Sequence, residues 1–587
     1  MPDSQSRLAT FRAGLTKQFY RYFPIATWAR HYPREAWNPD LISGLTVGGV
    51  MVPVALAYAQ MAGLPLQMGL YAAFLSLIAY AIFGTSRHLK VTTSSTMAVM
   101  SAAVVAPLAM GDASLYVAMS AALAIIVGVI LISLGFARLG FISDFLSKSV
   151  VTGFVFGLAL NIAIGQAPKI FGVPAGSGNF FQQLFQLLSN LDETNPWAFL
   201  IGAGSIALIL VLKRLYPRIP AALVALAAGI LVVSAFNLDE QGVSIVGIIP
   251  TGLPTLTIPR VGVGNFFFLV AGAAGIVFLA VGESLGAARS FASRYHYDIQ
   301  PDQELIALGA SNVSAGLFQG FTVDASLSQT ATADAAGART QVSSLVTAAV
   351  VIVTVAFLAP LFHNLPNAAL GAIVITSVIG LMDVGEMRRY YASRRTDFVV
   401  ALAALLGVIT TDVLTGLVIA VLLSLVMLLY RASRPYIATL GRVPEQPGEY
   451  SDVSRHPRYP QVPGMLVLRV DAPLYFFNSN VARDQILSQV AATQPGAVVL
   501  DLGASADLDI SSNDMLQELA GTLRGEGVAL LLAQARGAVR DRLRKTGAMT
   551  VIGEENVYRS VDGAVQDFQG RRGADAPDAS PASPDLD

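Results

Sequence analysis

The sequence predicts a polytopic α-helical membrane protein of fourteen transmembrane segments, arranged as two inverted sets of seven, followed by a small cytoplasmic α/β domain. Three observations lead to this: a charge deficit confined to one part of the chain, an asymmetry of loop charge, and a pair of short segments with polar starts. Of 587 residues, 54% are hydrophobic and 13% charged, against about 25% charged in a soluble protein. The deficit falls between Leu41 and Tyr430, a succession of apolar stretches of 15–22 residues. Each can approach or span a bilayer core of ~30 Å as a helix. After Arg431 the composition is that of a soluble domain.

The first 40 residues contain FRAGLTKQFYRYFPIATWARHYP (11–33), where aromatic and basic side chains alternate. Such a mixture suits an amphipathic segment on the cytoplasmic membrane surface, or simply a basic tail. No apolar run with a small-residue cleavage site is present there. Membrane segments then fall near 42–62, 67–84, 93–110, 114–136, 147–168, 197–213, 219–236, 265–288, 301–318, 324–338, 341–359, 366–381, 396–410 and 412–430. An even number puts both termini on one side. With the N-terminus inside, the inward loops carry 16 Lys or Arg and the outward loops two, Lys169 and Arg260. This follows the positive-inside rule, so both termini are expected in the cytoplasm, across a bacterial-type inner membrane. All 18 basic residues read as loop or span-end residues. An anion inside the membrane would then be held by backbone dipoles and hydroxyls.

The halves 42–236 and 265–430 hold seven segments each, and an odd number inverts the second half relative to the first. The third segment of one half begins VTTSSTMAVM (91–100) and the third of the other FTVDASLSQTAT (321–332). Short, interrupted segments at matching positions are the best sequence pointer to a transporter's binding site. A half-helix starting inside the membrane offers unpaired N–H groups and about half a positive charge. Hydroxyls such as Thr93, Ser94, Ser95 and Thr96 can cap it and donate to a ligand oxygen. Capping or interhelical hydrogen bonding alone is the simpler account, but recurrence at equivalent positions favours a site.

Glu283 lies deep in the apolar VFLAVGESLGAA. Ionisable residues within spans are costly and mark function by default. A carboxyl balanced between burial and nearby helix N-termini suits proton coupling; a structural tie from the eighth to the tenth segment is the alternative. Asp324 is expected at the outer mouth of the tenth segment and Asp334 on its inner half, both as solvated ends or caps. His88 is expected on the surface of an inner loop with Arg87 and Lys90. Absence of cysteine removes disulfides and thiol chemistry, five scattered histidines suggest no metal site, and a net charge of −1 gives no field for nucleic acid. No cofactor is expected.

Beyond the membrane part, 435–463 reads as a linker rich in Pro, Arg and Glu. Strand-like MLVLRVDAPLYFFN (465–478), AVVLDLGA (497–504) and VALLLAQA (528–535) alternate with helical 509–527 and 536–549, the pattern of an α/β domain over 464–569. It has no glycine-rich phosphate loop. Residues 570–587, rich in Asp, Pro, Ala and Ser, are expected to be disordered.

Several of these stretches match a known pattern. PVALAYAQMAGLPLQMGLYAAF (53–74) with FGTSRHLKV (83–91), GESLGAARSFA (282–292) and GFTVDASLSQTATADAAGARTQ (320–341) resemble the motifs of the sulfate permease (SulP) family of anion transporters and exchangers, and the soluble part resembles its STAS domain. The resemblance implies a transport domain over 41–434 divided into core and gate, an elevator motion and a homodimer in membrane lipid. It implies secondary active transport of a small anion of the sulfate, bicarbonate or dicarboxylate class, coupled to H⁺ or Na⁺, without enzymatic activity. A membrane-anchored anion sensor signalling through the STAS domain is the alternative. Tyr58 matches the aromatic position lining the family's site, Ser326 and Ser328 match its tenth segment, and Glu283 lies near its carboxylate. The chain departs elsewhere: Val54 replaces the usual Gln, Thr92-Thr93 the usual Gly-Pro, and Gln329 a frequent Arg. These losses suit bicarbonate or a carboxylate at least as well as sulfate. STAS relatives are phosphorylated on a Ser after an Asp at a helix start, and Asp509-Ile510-Ser511-Ser512 sits there with one residue of offset; Ser511 and Ser512 serve equally as caps. A protein partner at the STAS surface is implied too.

Overall fold

The computed structural model describes residues 22–141, 148–216, 220–380, 382–411 and 413–574. The expectations for residues 1–21 and for the tail from 575 onward lie outside the described residues, whereas 570–574, expected to be disordered, continue the helix Val561–Ala574. Two compact units are present, one through Leu425 and one from Val426.

In the first unit helices occupy all fourteen expected stretches. They are α1 (Trp37–Met61), α2 (Leu66–Phe83), α3 (Ser95–Ala109), α4 (Ala113–Phe136), α5 (Lys148–Phe171), α6 (Pro196–Leu215) and α7 (Ala221–Phe236), then α8 (Val263–Arg294), α9 (Pro301–Leu317), α10 (Leu327–Ala335), α11 (Val342–Val353), α12 (Asn367–Ile379), α13 (Arg395–Thr410) and α14 (Val413–Ala432). Two-residue strands β1 (Val91–Thr92) and β2 (Asp324–Ala325) precede α3 and α10. Among the described residues, eight helices are long and apolar enough to cross a membrane. Local chemistry sets the ends. Asp112 caps α4 by accepting from the Ser114 and Leu115 N–H groups, and Asn195 caps α6 with Pro196 in the first turn, where its missing N–H costs nothing. At 1.5 Å per residue α3 and α10 are only about 22 and 13 Å long, short of a bilayer core.

Packing is reciprocal between the halves. The α4–α9 contact is answered by α11–α2, α1–α11 by α8–α4, and α5–α13 by α12–α6, as a two-fold exchange of repeats requires. The first four helices of each half pack together, and the last three of each half form a second cluster around α5, α6, α7, α12 and α13. Each half-helix also lies on the first helix of the other half, α10 on α1 and α3 on α8. The α4–α9 contact is backbone on backbone. A Cβ on Gly128 would stand 2.6 Å from the Gly309 carbonyl oxygen, and one on Gly309 2.5 Å from that of Gly128. Only glycine permits this approach.

The second unit is a six-stranded sheet in the order β4-β3-β5-β6-β7-β8, with β3 (Ile437–Arg442), β4 (Tyr450–Asp452), β5 (Met465–Val470), β6 (Ala497–Asp501), β7 (Ala529–Ala533) and β8 (Val557–Tyr558). From β5 to β8 the pairings are parallel, and β3 runs antiparallel to β4 and β5. Helices α15 (Ser479–Thr493), α16 (Ile510–Gly525), α17 (Gly537–Lys545), α18 (Ala548–Ile552) and α19 (Val561–Ala574) complete it. Both sheet faces are covered: Leu466, Leu468 and Leu500 pack with Leu516 and Leu519, and Val467, Val499 and Leu531 with Val565. Two-sided burial makes the strands continuous apolar runs. One correction concerns 435–463, read as a linker: it supplies β3 and β4. The edge strand β4 and the antiparallel β3 beside it are short and bordered by Pro, Arg and Glu, which hid them.

Gly309→Val is expected to destabilise the helical unit by at least the ~1–3 kcal/mol typical of overpacking. Gly204, whose Cβ would meet nothing within 4 Å, serves as a control. A thermal melt of the detergent-purified protein should show a lowered midpoint for Gly309→Val and none for Gly204→Ala.

Candidate functional site

The two interrupted segments meet. β1 pairs antiparallel with β2, Val91 opposite Ala325 and Thr92 opposite Asp324. The Ser326 N–H donates to the Lys90 carbonyl at 2.9 Å, the Lys90 N–H to Thr330 Oγ1 at 3.0 Å, and the Ala325 N–H to Ser284 Oγ at 3.1 Å. Immediately after each strand a serine starts a helix. Ser94 Oγ accepts from the Met97 N–H at 3.2 Å, and Ser326 Oγ from the Gln329 N–H at 3.4 Å. Two helix N-termini, each with its partial positive charge, therefore flank one strand pair.

Around them lies a set of buried polar groups. Thr93, Ser95, Thr96 and Gln329 are all buried. The Tyr58 hydroxyl faces Ser95 on α3 and Ser377 on α12. Thr93 Oγ1 and both amide atoms of Gln329 are buried without a hydrogen-bond partner among the described residues. Leaving a buried polar group unpaired costs about 1–3 kcal/mol, and natural structures hold few such groups. Three such atoms stand around the two helix N-termini.

Asp324 corrects its expectation. Instead of a solvated outer end it is fully buried in β2, facing Ser94 and the half-buried Glu283 of α8. Its residue type resembles a cap, but the antiparallel pairing that draws it inward is a tertiary contact. Lys90 is the second correction. Read as an inner-loop residue, it is fully buried and its ammonium donates to Ser343 Oγ at 2.5 Å and Ser344 Oγ at 2.8 Å on α11. A buried lysine side chain thus stands beside the start of β1. His88, expected at the surface, is buried and stacked on Tyr295 at 4.3 Å. Ser328 is not gathered with the rest: it is exposed, on a different face of α10 from Gln329 and Thr330. Asp334 ion-pairs with Arg294 at 2.8 Å.

Sequence reasoning missed Ser377, Ser284 and the Glu283–Asp324 juxtaposition. No local signal marks the serines, because each becomes polar lining only through the packing of α12 or α8 on the half-helices. In the second unit the Asp509 carboxylate caps α16, accepting from the Ser512 N–H at 2.8 Å and Ser512 Oγ at 2.7 Å. Ser512 is buried, whereas Ser511 is exposed at the same helix start.

The sulfate permease family matches residues 38–404 and the STAS domain residues 456–564. A probable sulfate transporter of Mycobacterium tuberculosis is 36% identical over 545 residues, covering 92% of this chain and 97% of the relative. Sulfate transporter 1.1 of Arabidopsis thaliana is 32% identical, covering 92% and 87%. Among solved structures, the murine Solute Carrier 26 family member A9 anion transporter in the inward-facing state superposes with a TM-score of 0.86 at 24% identity, over 94% of this chain and 95% of that one. At that identity the likeness is one of fold.

Capping and ligand-facing groups separate by their effects on stability. Ser94→Ala should cost about 1 kcal/mol as a lost cap. Thr93→Val and Gln329→Leu remove unpartnered groups and should leave the melting midpoint unchanged or raised. Differential scanning fluorimetry of the ligand-free protein checks this; a lowered midpoint for both would make these groups structural.

Proposed function

The chain belongs to the sulfate permease family, and from that premise we propose that it is a secondary active transporter of a small anion, with the substrate held between the N-termini of α3 and α10. The observation that carries the reading is the cluster of unpartnered polar atoms of Thr93 and Gln329 at those two helix starts. Helix N-termini bind anions through oriented N–H groups. Thr93 and Gln329 can each donate to an anion oxygen, and Tyr58, Ser94, Ser95, Thr96 and Ser326 line or frame the same place; Ser328 stays outside this set. The family relatives are transporters, not enzymes.

Coupling follows from electrostatics. Glu283 and Asp324 place two carboxyl groups where an anion is to bind. An anion beside two carboxylates is repelled, and at low dielectric the repulsion is large. A proton or sodium ion taken up by the pair reduces it, so cation and anion favour each other's binding. Linkage makes the effect reciprocal. The carboxyl pair also bears on substrate class. Sulfate offers only acceptors, whereas bicarbonate or a hydrogen dicarboxylate can donate to a carboxylate. With Gln329 where an Arg is frequent, the site suits such a proton-bearing monoanion at least as well as sulfate, the anion named for the relatives.

Movement of the α1–α4/α8–α11 cluster against the α5–α7/α12–α14 cluster, elevator fashion, would expose the site to either side. The positive-inside pattern supports cytoplasmic termini in a bacterial inner membrane, a homodimer fits the family, and the exposed Ser511 is the candidate for regulation by phosphorylation or by a STAS partner.

Proteoliposomes of the purified protein, supplied externally with labelled bicarbonate, succinate or sulfate under imposed pH or sodium gradients, test the reading. Uptake of a monoanion driven by one of these gradients is expected. Glu283→Gln and Asp324→Asn should each abolish the gradient dependence, a loss of about 5–150-fold if the coupling lies in the usual 1–3 kcal/mol range. Gradient dependence unchanged in both variants would place coupling elsewhere.

A further inference from the structure

Away from the half-helices, at the end of the helical unit where α1 begins and α2 and α8 end, lies a cavity of about 710 Å³. Its walls come from four separate stretches: the turn of helix Ile25–Trp28 with the residues after it, the 84–87 loop, the 297–300 loop and the 339–341 loop. His31, Arg87 and Arg339 contribute basic side chains and Asp298 an acidic one. All four are exposed, and neither arginine is in an ion pair among the described residues. The Arg87 guanidinium lies 5.5 Å from the centre of the Tyr297 ring.

The walls are held by buried carboxylates. Asp40, fully buried, accepts from the Arg339 N–H at 2.7 Å, the Thr340 N–H at 3.0 Å and Thr340 Oγ1 at 2.6 Å. Glu304, also buried, accepts from the Thr85 and Ser86 N–H groups at 2.7 and 3.0 Å. Gln341 Nε2 donates to the carbonyls of Ser86 and Leu89 at 2.8 and 2.9 Å, joining two of the walls. Trp28 Nε1 donates to the Ala81 carbonyl at 3.2 Å, fixing the short helix to α2. These loops present Arg87 and Arg339 from a preorganised frame, which lowers the ordering cost of binding.

We propose that this cavity binds a phosphate group carried on a small organic moiety. Two unpaired guanidiniums match phosphate oxygens in bidentate geometry. The volume lies in the range of small-molecule sites and exceeds what a bare inorganic ion fills. The indole of Trp28 supplies an apolar wall for the organic part, and a Trp at the end of a membrane helix bundle stands at headgroup level. The phosphate can therefore come from an anionic lipid headgroup or from a soluble phosphate monoester. Because the cavity is walled by the chain before α1 and by loops from both halves, occupancy ties the N-terminal segment to the α1–α4/α8–α11 cluster. The site shares none of Tyr58, Thr93, Glu283, Asp324 or Gln329 with the proposed transport site.

Trp28 reports directly. In a Trp37→Phe/Trp197→Phe background, the full-length protein is placed in nanodiscs of phosphatidylcholine and titrated with glycerol 3-phosphate; a second arm compares these discs with discs containing phosphatidylglycerol. A saturable, salt-sensitive change of Trp28 fluorescence in the first arm assigns a soluble monoester, and one confined to the second assigns a lipid headgroup. In either case Arg87→Gln/Arg339→Gln should weaken binding at least tenfold, with Arg339→Gln alone intermediate and the exposed Arg394→Gln without effect. The proposal is overturned if neither arm changes Trp28 fluorescence, or if the response persists in the double variant.

Discussion

The antiparallel pairing of β1 with β2 is the contact on which the helical unit depends. Backbone inside a membrane protein must find hydrogen-bond partners within the protein, and two segments that stop being helical at the same depth satisfy part of each other's need. The remaining groups are taken by Ser284, Thr330 and the Lys90 carbonyl. Once the strands are paired, both following helices must start at the pair, so their N-termini converge on one place. The same pairing sets Asp324 opposite Thr92 and carries it from a span end into the interior, beside Glu283 and Ser94.

Buried charge is the second organising feature, and it is distributed by role. Asp40 and Glu304 each accept several hydrogen bonds from loop backbone and hydroxyls, the arrangement that makes a buried carboxylate tolerable. They hold the loops at one end of the bundle. Lys90 is met by two serine hydroxyls rather than by a carboxylate in direct contact. Asp324, by contrast, is buried against a second carboxyl, that of Glu283, with Ser94 beside it. Carboxylates met by several donors read as scaffold, and the one set against another carboxyl reads as a place where a cation binds.

The soluble unit shows a different balance. β5, β6, β7, α16 and α17 were legible because each is a continuous apolar run or a capped amphipathic stretch. β3, β4 and α15 were not. Strand β3 is held through pairing with β5 over Ile437–Thr439, and α15 buries only the narrow stripe Ser479, Ala482, Ile486 and Val490 of a largely polar sequence. Such elements are fixed by the sheet they cover.

By itself, the sequence determined the membrane character, the fourteen segments, their division into inverted sevens, the positions of both half-helices and the family. Each of these rests on local composition, on periodicity or on motifs read along the chain, and none requires knowing which segments touch. The half-helix residues Thr93 to Thr96, Ser326 and Gln329 were likewise marked by polarity in an apolar setting. Tertiary structure alone decided the burial of Lys90 and Asp324, the exposure of Ser328, the contribution of Ser377 and Ser284, and the basic cavity built from four separate stretches. The physical reason is common to all of these: a charged residue beside a span end reads the same whether the chain turns it to water or folds it inward. Only the pairing of distant segments, residue 92 with 324 or residue 90 with 343, makes that choice.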